Sequence, residues 1–389
     1  MNRSDTKRTG KMLARAVEAI GAFIKKNVVL CTALVAALVS SIIVPPDAQY
    51  LGYFDFKTLT CLFCVLAVVC ALKNINFFYI LACEIVRRFK NIRMSVIAIV
   101  YITFIGSMLI ANDMALLTFL PLGYFVLSST DNKKYMAFLF IMQNIAANLG
   151  GMLTPFGNPQ NLYLYTRFNI PTGEFMTVML IPFLLSITLI TLCCIVFVKS
   201  EPLVIKGERH SIDKKRAVIY GALFALSIAI VFRGIPYQLG LLIIPAAIFF
   251  LDRRALADVD YPLLFTFAAF FVFSGNVARI EAVRDVAEAL LSKSTLLVST
   301  LSCQLISNVP SSILLSSFTD NYRQLLVGVN IGGAGTLIAS LASLITLKEY
   351  TKHDREGVGA YIKLFSIVNF SFLGILLAVM LAVFGMGIL

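Results

Sequence analysis

The chain has 389 residues, 59% of them hydrophobic and 14% charged, with 33 Lys+Arg against 21 Asp+Glu and a net charge of +12. Soluble proteins average about 45–50% apolar and about 25% charged residues, so this composition excludes an ordinary soluble domain and points to a surface that faces lipid. The basic excess lies in short loops between apolar runs, as in cytoplasmic loops of membrane proteins, and so excludes nucleic-acid binding as its explanation.

In chain order, residues 1–27 hold a basic stretch that reads as a cytoplasmic amphipathic segment at the membrane surface. Two spans follow, Val28–Val44 and Lys57–Leu72, then a basic arm helix over 75–93. The apolar stretch 94–127 carries one charge, Asp113, near its middle. A turn at Ala111-Asn112-Asp113 would leave backbone groups unsatisfied in lipid, so the stretch is expected to be a re-entrant hairpin buried in protein. A span from Tyr135 to Leu153 is broken by TPFGNPQN (154–161), and another runs over 175–198. A basic cytoplasmic linker, 199–216, then leads to spans near 217–232, 239–251 and 262–275. The chain ends with an arm helix (277–293), a second hairpin (294–318) split at Ser307–Pro310, an interrupted span near 324–347 and a last span over 361–386.

Two local patterns occur in the same order in both halves. Leu109-Ile110-Ala111-Asn112 pairs with Leu305-Ile306-Ser307-Asn308, and N-x-G-G-x-x-T from Asn148 pairs with the same pattern from Asn330. The first arm is strongly basic and the second balanced, so the halves are expected to insert with opposite topology. The expected fold is all-α and integral to the membrane. It has two inverted repeats, 28–198 and 217–389, with about nine crossings, two hairpins, a cytoplasmic N-terminus and an external C-terminus. Paired broken helices in inverted repeats mark the binding site of a secondary transporter.

The breaks supply the candidate chemistry. A broken helix offers free N–H groups at one end and carbonyls at the other, suited to anions and to cations respectively. Gly150 and Gly151 in the first half, and Gly332 and Gly333 in the second, permit the unwinding. Asn112 and Asn308 sit at equivalent hairpin tips, where an amide both donates and accepts. Asp113 is the one carboxylate placed deep in a membrane segment, where a charge costs about 2.5–3.5 kcal/mol and marks a functional candidate. Cys61 and Cys64 form a C-x-x-C with no second pair, read as packing rather than zinc. There is no H-E-x-x-H, G-x-S-x-G or G-x-x-x-x-G-K-[ST] motif, so an enzyme is not expected.

The Asn112-Asp113 tip, the Asn308-Val309-Pro310 tip and the paired N-x-G-G-x-x-T breaks resemble the ion transporter superfamily from about residue 28 onward. That group includes citrate and dicarboxylate transporters, arsenite permeases and a branch of sodium/proton antiporters. The resemblance implies a scaffold domain, often dimeric, and an elevator-like transport domain. It also implies Na⁺ or H⁺ as coupling ion, with no other cofactor. Carried over, Asn112, Thr154, Asn158 and Asn161 would line one half of the substrate site, and Ser307, Asn308, Asn330 and Thr336 the other. Asp113, Asn112, Asn308 and the four glycines would serve ion coupling. The expected function is ion-coupled transport of a small anion, a di- or tricarboxylate such as citrate. Arsenite or antimonite efflux, sodium/proton antiport and, from another class, a membrane channel are the alternatives. The expected setting is the bacterial-type inner membrane, as a homodimer in the lipid bilayer.

Overall fold

A computed structural model describes residues 27–203 and 212–389, with Glu18, Gly21, Phe23 and Ile24. Most of the expected N-terminal amphipathic segment and the middle of the linker lie outside the described residues. Among the described residues the elements are helices, apart from one isolated bridge between Asn91 and Pro202. By length and composition, six helical segments can cross a membrane: 56–74, 92–110, 133–153, 172–197, 253–277 and 358–385.

The helices are α1 (Val28–Ile43), α2 (Phe56–Asn74), α3 (Phe77–Val86), α4 (Ile92–Ile110), α5 (Asn112–Ser129), α6 (Met136–Gly150), α7 (Pro159–Arg167), α8 (Thr172–Phe197) and α9 (Lys214–Val231). They continue as α10 (Tyr237–Leu251), α11 (Arg253–Ala257), α12 (Tyr261–Val277), α13 (Glu281–Lys293), α14 (Thr295–Ile306), α15 (Asn308–Leu315), α16 (Tyr322–Ile331), α17 (Leu341–His353) and α18 (Val358–Gly385). Many begin where a short polar side chain accepts a free backbone N–H, the usual helix start. Asp55 accepts from Thr58, Asn91 from Arg93, Asp260 from Leu263, Ser294 from Leu297 and Asn321 from Gln324.

Asn91 corrects one expectation. The arm 75–93 is not one helix; α3 ends at Val86, and Asn91 starts α4. The second arm is likewise shorter than expected, beginning at Glu281.

The chain divides into two compact units, 1–54 with 260–284, and 55–259 with 285–389. In the smaller unit α1 and α12 pack through buried Ala33, Ala37 and Ser40. The buried Asn276 amide donates to the hydroxyls of Ser40 and Ser41 at 3.1 and 3.2 Å. Arg279 donates to Asp47 at 2.7 Å and to the Tyr53 hydroxyl at 3.0 Å. The Arg279 guanidinium holds the Asp47 carboxyl below its usual range. A lowered folded pKa stabilises above the unfolded value and is lost as pH falls through the folded one. Arg279→Met should therefore lower the detergent thermal midpoint slightly at neutral pH and less once Asp47 is protonated, when only the Tyr53 bond remains to be lost, as a pH series of melting curves would show.

In the larger unit α2 is buried from Thr58 to Leu72 apart from two positions, and α6 is buried almost throughout. Apolar side chains stay exposed along α8 and α18, including Leu184, Val196, Ile367 and Phe370. That pattern suits central helices surrounded by helices that face lipid.

Candidate functional site

The two hairpin tips share one backbone conformation. Ala111 has φ 63 and ψ 156, and Ser307 has φ 73 and ψ 158. This region is essentially a glycine region and costs an L-residue about 1–3 kcal/mol. Each reversal takes this one residue, not the three or four expected. Asn112 and Asp113 already belong to the first turn of α5, and Asn308, Val309 and Pro310 to that of α15. The first turn has no intrahelical use for its N–H groups, so residues that break a helix interior are tolerated there. Replacing Ala111 with glycine should remove the strain at a smaller entropic cost. The thermal midpoint of Ala111→Gly is expected to rise, by up to about 1 kcal/mol of stability; a fall would show that Ala111 is unstrained.

The tips also share their hydrogen bonds. The Asp113 N–H donates to Asn112 Oδ1 at 3.0 Å, and the Val309 N–H donates to Asn308 Oδ1 at 2.9 Å. Both asparagines are buried, at 5% and 4% exposure. Thr154 Oγ1 donates to the Met108 carbonyl at 3.0 Å, and Thr336 Oγ1 to the Gln304 carbonyl at 3.1 Å. These threonines, expected to line the substrate site, use their hydroxyls to tie each broken segment to the last turn of its hairpin arm.

The breaks fall at the glycines. Helix α6 ends at Gly150, a 3₁₀ turn covers Gly151–Leu153, and α7 starts at Pro159. Helix α16 ends at Ile331, and α17 starts at Leu341 after Ser340. Asn161 Nδ2 lies 3.2–3.3 Å from the carbonyls of Gly151, Met152 and Thr154, satisfying groups the helix end leaves open. In the second half Gln304 takes that role, donating to the Gly332 and Ala334 carbonyls at 2.8 and 3.1 Å and accepting the Thr336 N–H at 2.9 Å.

Asparagines join the two breaks. Asn158 Nδ2 donates to Asn330 Oδ1 at 3.3 Å, and Asn330 Nδ2 donates to Asn161 Oδ1 at 2.6 Å. Asn112 Nδ2 donates to Asn148 Oδ1 at 3.2 Å, and Ser340 Oγ donates to the same oxygen at 2.7 Å. A Cβ on Gly333 would lie 3.3 Å from Asn308 Nδ2 and 3.8 Å from Asn148 Cβ, so the second tip adjoins the same cluster. Ser307 Oγ donates to the Ala339 carbonyl at 3.2 Å. Asn148, Ser340 and Gln304 were not among the expected site residues. Asn148 opens the first N-x-G-G-x-x-T pattern and was legible from its partner Asn330, but no short pattern marked Ser340 or Gln304.

Two buried polar atoms here have no hydrogen-bond partner among the described residues, Asn148 Nδ2 and Asn158 Oδ1. Buried polar groups are nearly always paired, so this donor and acceptor suit a polar ligand. Helices α5 and α15 also begin at the tips; in α15 the Asn308 N–H donates to the Ala339 carbonyl at 3.0 Å and Pro310 has no N–H, so α5 is the one of the two whose N-terminus suits an anion. The one charged residue in 94–130, 135–166, 295–319 and 324–347 is Asp113, which is partly buried. The cluster is otherwise neutral, with amide, hydroxyl and carbonyl oxygens of the type that bind hard cations.

The citrate transporter family (CitMHS) matches residues 16–322. The chain is 33% identical over 307 residues to the Uncharacterized transporter MJ0456 of Methanocaldococcus jannaschii, covering 78% of this chain and 83% of that protein. It is 29% identical over 300 residues to the Inner membrane protein YbiR of Escherichia coli, covering 76% and 80%. The YdaH transporter of Alcanivorax borkumensis has a similar fold, with a TM-score of 0.54 over 87% of this chain and 88% of that one at 13% identity. The protein is a multi-span membrane transporter of the ion transporter superfamily, and the chain belongs to the citrate transporter family.

Proposed function

We propose that the protein is an ion-coupled secondary transporter of a small anion, a di- or tricarboxylate such as citrate. In this reading its halves are inverted repeats, and the protein works as a homodimer by elevator-type alternating access of the hairpins and broken helices. The observation that carries it is the junction of two equivalent hairpin tips and two broken helices in one buried amide cluster. The N-terminal end of α5, at the first tip, favours a carboxylate. At the second tip the Asn308 N–H donates to the Ala339 carbonyl, the Val309 N–H donates to Asn308 Oδ1 and Pro310 has no N–H, so the Asn308 amide is the group offered there. Asn112, Asn148, Asn158 and Asn308 contact substrate, while Asn161, Asn330, Thr154 and Thr336 hold the breaks open. Ser307, Gly150, Gly151, Gly332 and Gly333 set the backbone at the tips and breaks.

The site has no lysine or arginine to balance a dianion. An ionised Asp113 at about 4 Å would repel each carboxylate by about 4 kcal/mol at an effective dielectric near 20. Asp113 must therefore be protonated or cation-bound when the anion is present, which ties substrate to a coupling ion. The same lack of cations favours a second reading, a neutral oxyacid such as arsenous acid.

The test is a thermal-shift panel on purified protein with citrate, succinate, malate, sulfate and arsenite, with and without Na⁺ and at two pH values. Stabilisation by a carboxylate, larger with Na⁺ or at low pH, is expected; a shift with arsenite alone would favour the second reading. Asn112→Ala and Asn308→Ala are each expected to weaken carboxylate binding by about tenfold or more, since each removes hydrogen bonds to a charged group. Unchanged affinity in both would move the site elsewhere.

A further inference from the structure

A second set of buried polar side chains leads away from the amide cluster. On α6, Phe140, Asn144 and Asn148 share one face; on α17, Ser343, Thr346 and Tyr350 share another, with Ser340 capping its start; on α18, Tyr361, Phe365 and Asn369 share a third. Three contacts show that these faces meet. Ser340 bonds Asn148, the Phe140 and Tyr350 rings lie 6.4 Å apart, and Asn144 Nδ2 lies 3.5 Å from Asn369 Oδ1. Tyr361 stacks on Tyr350 at 4.3 Å and closes the far end.

Asn144, Ser343 and Asn369 are fully buried, and Tyr361 is 1% exposed. Asn144 Oδ1, Ser343 Oγ and the Tyr361 hydroxyl have no hydrogen-bond partner among the described residues. One such atom on each of three helices, all facing one seam, calls for internal water, which typically makes about three hydrogen bonds to groups of this kind. The seam runs from Ser340 to Tyr350, about 15 Å at the helical rise.

Beyond Tyr350 the seam reaches polar chain. The Tyr350 hydroxyl donates to Asp354 Oδ2 at 2.8 Å, and the Gly357 N–H donates to Asp354 Oδ1 at 2.8 Å. His353, nearby, pairs with Glu349 at 3.4 Å and stacks on Tyr124 of α5 at 3.5 Å, and Lys352 pairs with Glu349 at 2.5 Å. Tyr124 lies toward the end of α5 that leads to Lys133 and Lys134, the basic and hence cytoplasmic side. At the other end Asn148 bonds Asn112, whose side chain accepts the Asp113 N–H.

We propose that this seam between α6, α17 and α18 is a hydrated proton route between Asp113 and the Asp354 side. The inference rests on the ion-coupled reading above. In the transfer, the Asp113 carboxyl O–H breaks and its proton joins a neighbouring water. At each later oxygen one O–H bond forms as another breaks, and a proton leaves to the Asp354 carboxylate or to bulk water. Asp113 is left as carboxylate, and nothing is oxidised or reduced.

Hydroxyl-radical footprinting of the full-length protein in nanodiscs tests hydration without any substrate. Tyr361 and Phe365 are expected to label at least about fivefold faster than the equally buried Tyr165 and Phe175, because bound water generates the radical beside them. Equal rates would overturn the route. In proteoliposomes, Ser343→Val should cut accumulation driven by a pH gradient about tenfold while leaving gradient-free exchange of labelled for unlabelled substrate intact. Thr346→Val serves if Ser343→Val does not fold. Unchanged accumulation in a folded variant, or wild-type accumulation driven by Na⁺ at equal pH, would overturn the proposal. Loss of exchange in the wild type for every substrate of the panel would instead overturn the carrier reading, and the footprint identifies that failure separately.

Discussion

Asp113→Asn is expected to abolish ion-driven accumulation while the protein still inserts and still exchanges substrate. Asp113 is the one charged residue among the segments that build the amide cluster, and it stands in the first turn of α5 beside Asn112. Asparagine has the same shape but cannot bind or release a proton, and it is a weaker cation ligand. It also removes a charge whose burial costs about 2.5–3.5 kcal/mol, so stability should not suffer. One coupled charge moving through about 100 mV supplies about 2.3 kcal/mol, roughly a 50-fold accumulation. The variant should bring that ratio to about one. Accumulation at the wild-type level in matched proteoliposomes would remove Asp113 from coupling.

Gly150→Ala should fail on stability, not on transport alone. A Cβ there would overlap the Phe104 carbonyl oxygen and lie 2.6 Å from Ser107 Oγ and 2.8 Å from the Phe104 carbonyl carbon. Backbone cannot swing aside as a side chain can, so α4 and α6 would have to separate. Overpacking of this kind costs about 1–3 kcal/mol or more. At the equivalent Gly332 the Cβ would lie 2.7 Å from the Gly328 carbonyl oxygen and 2.9 Å from Cys303 Cβ and Sγ, a less severe overlap than at Gly150, so Gly332→Ala should be milder. Gly374, within α18, has nothing within 4 Å of an added Cβ. Gly374→Ala should stabilise slightly, by up to about 1 kcal/mol, since alanine is the better helix former. Thermal unfolding of the three variants would check the order, and equal midpoints would contradict it.

The residues that break helices were easy to read from the sequence. TPFGNPQN and the paired N-x-G-G-x-x-T patterns combine glycine, proline and amides inside apolar runs, and the breaks fall there. The tips were read too long because asparagine, aspartate and proline suit both a turn and the first turn of a helix. Only the backbone at Ala111 and Ser307 separates the two. Ser340, Gln304 and the seam residues escaped because a lone serine or glutamine on an apolar helix carries no local pattern. Their significance comes from contacts across long stretches of chain, such as Asn148 with Ser340 and Asn144 with Asn369. The smaller unit was hidden for the same reason, since α1 and α12 come from opposite halves.

Uptake of radiolabelled citrate into proteoliposomes, under an imposed pH gradient and then an imposed Na⁺ gradient, tests the central claim most directly. The account predicts saturable accumulation above the equilibrium level, driven by the pH gradient and lost in Asp113→Asn. Citrate, succinate and malate uptake no greater than in empty liposomes under either gradient would contradict it.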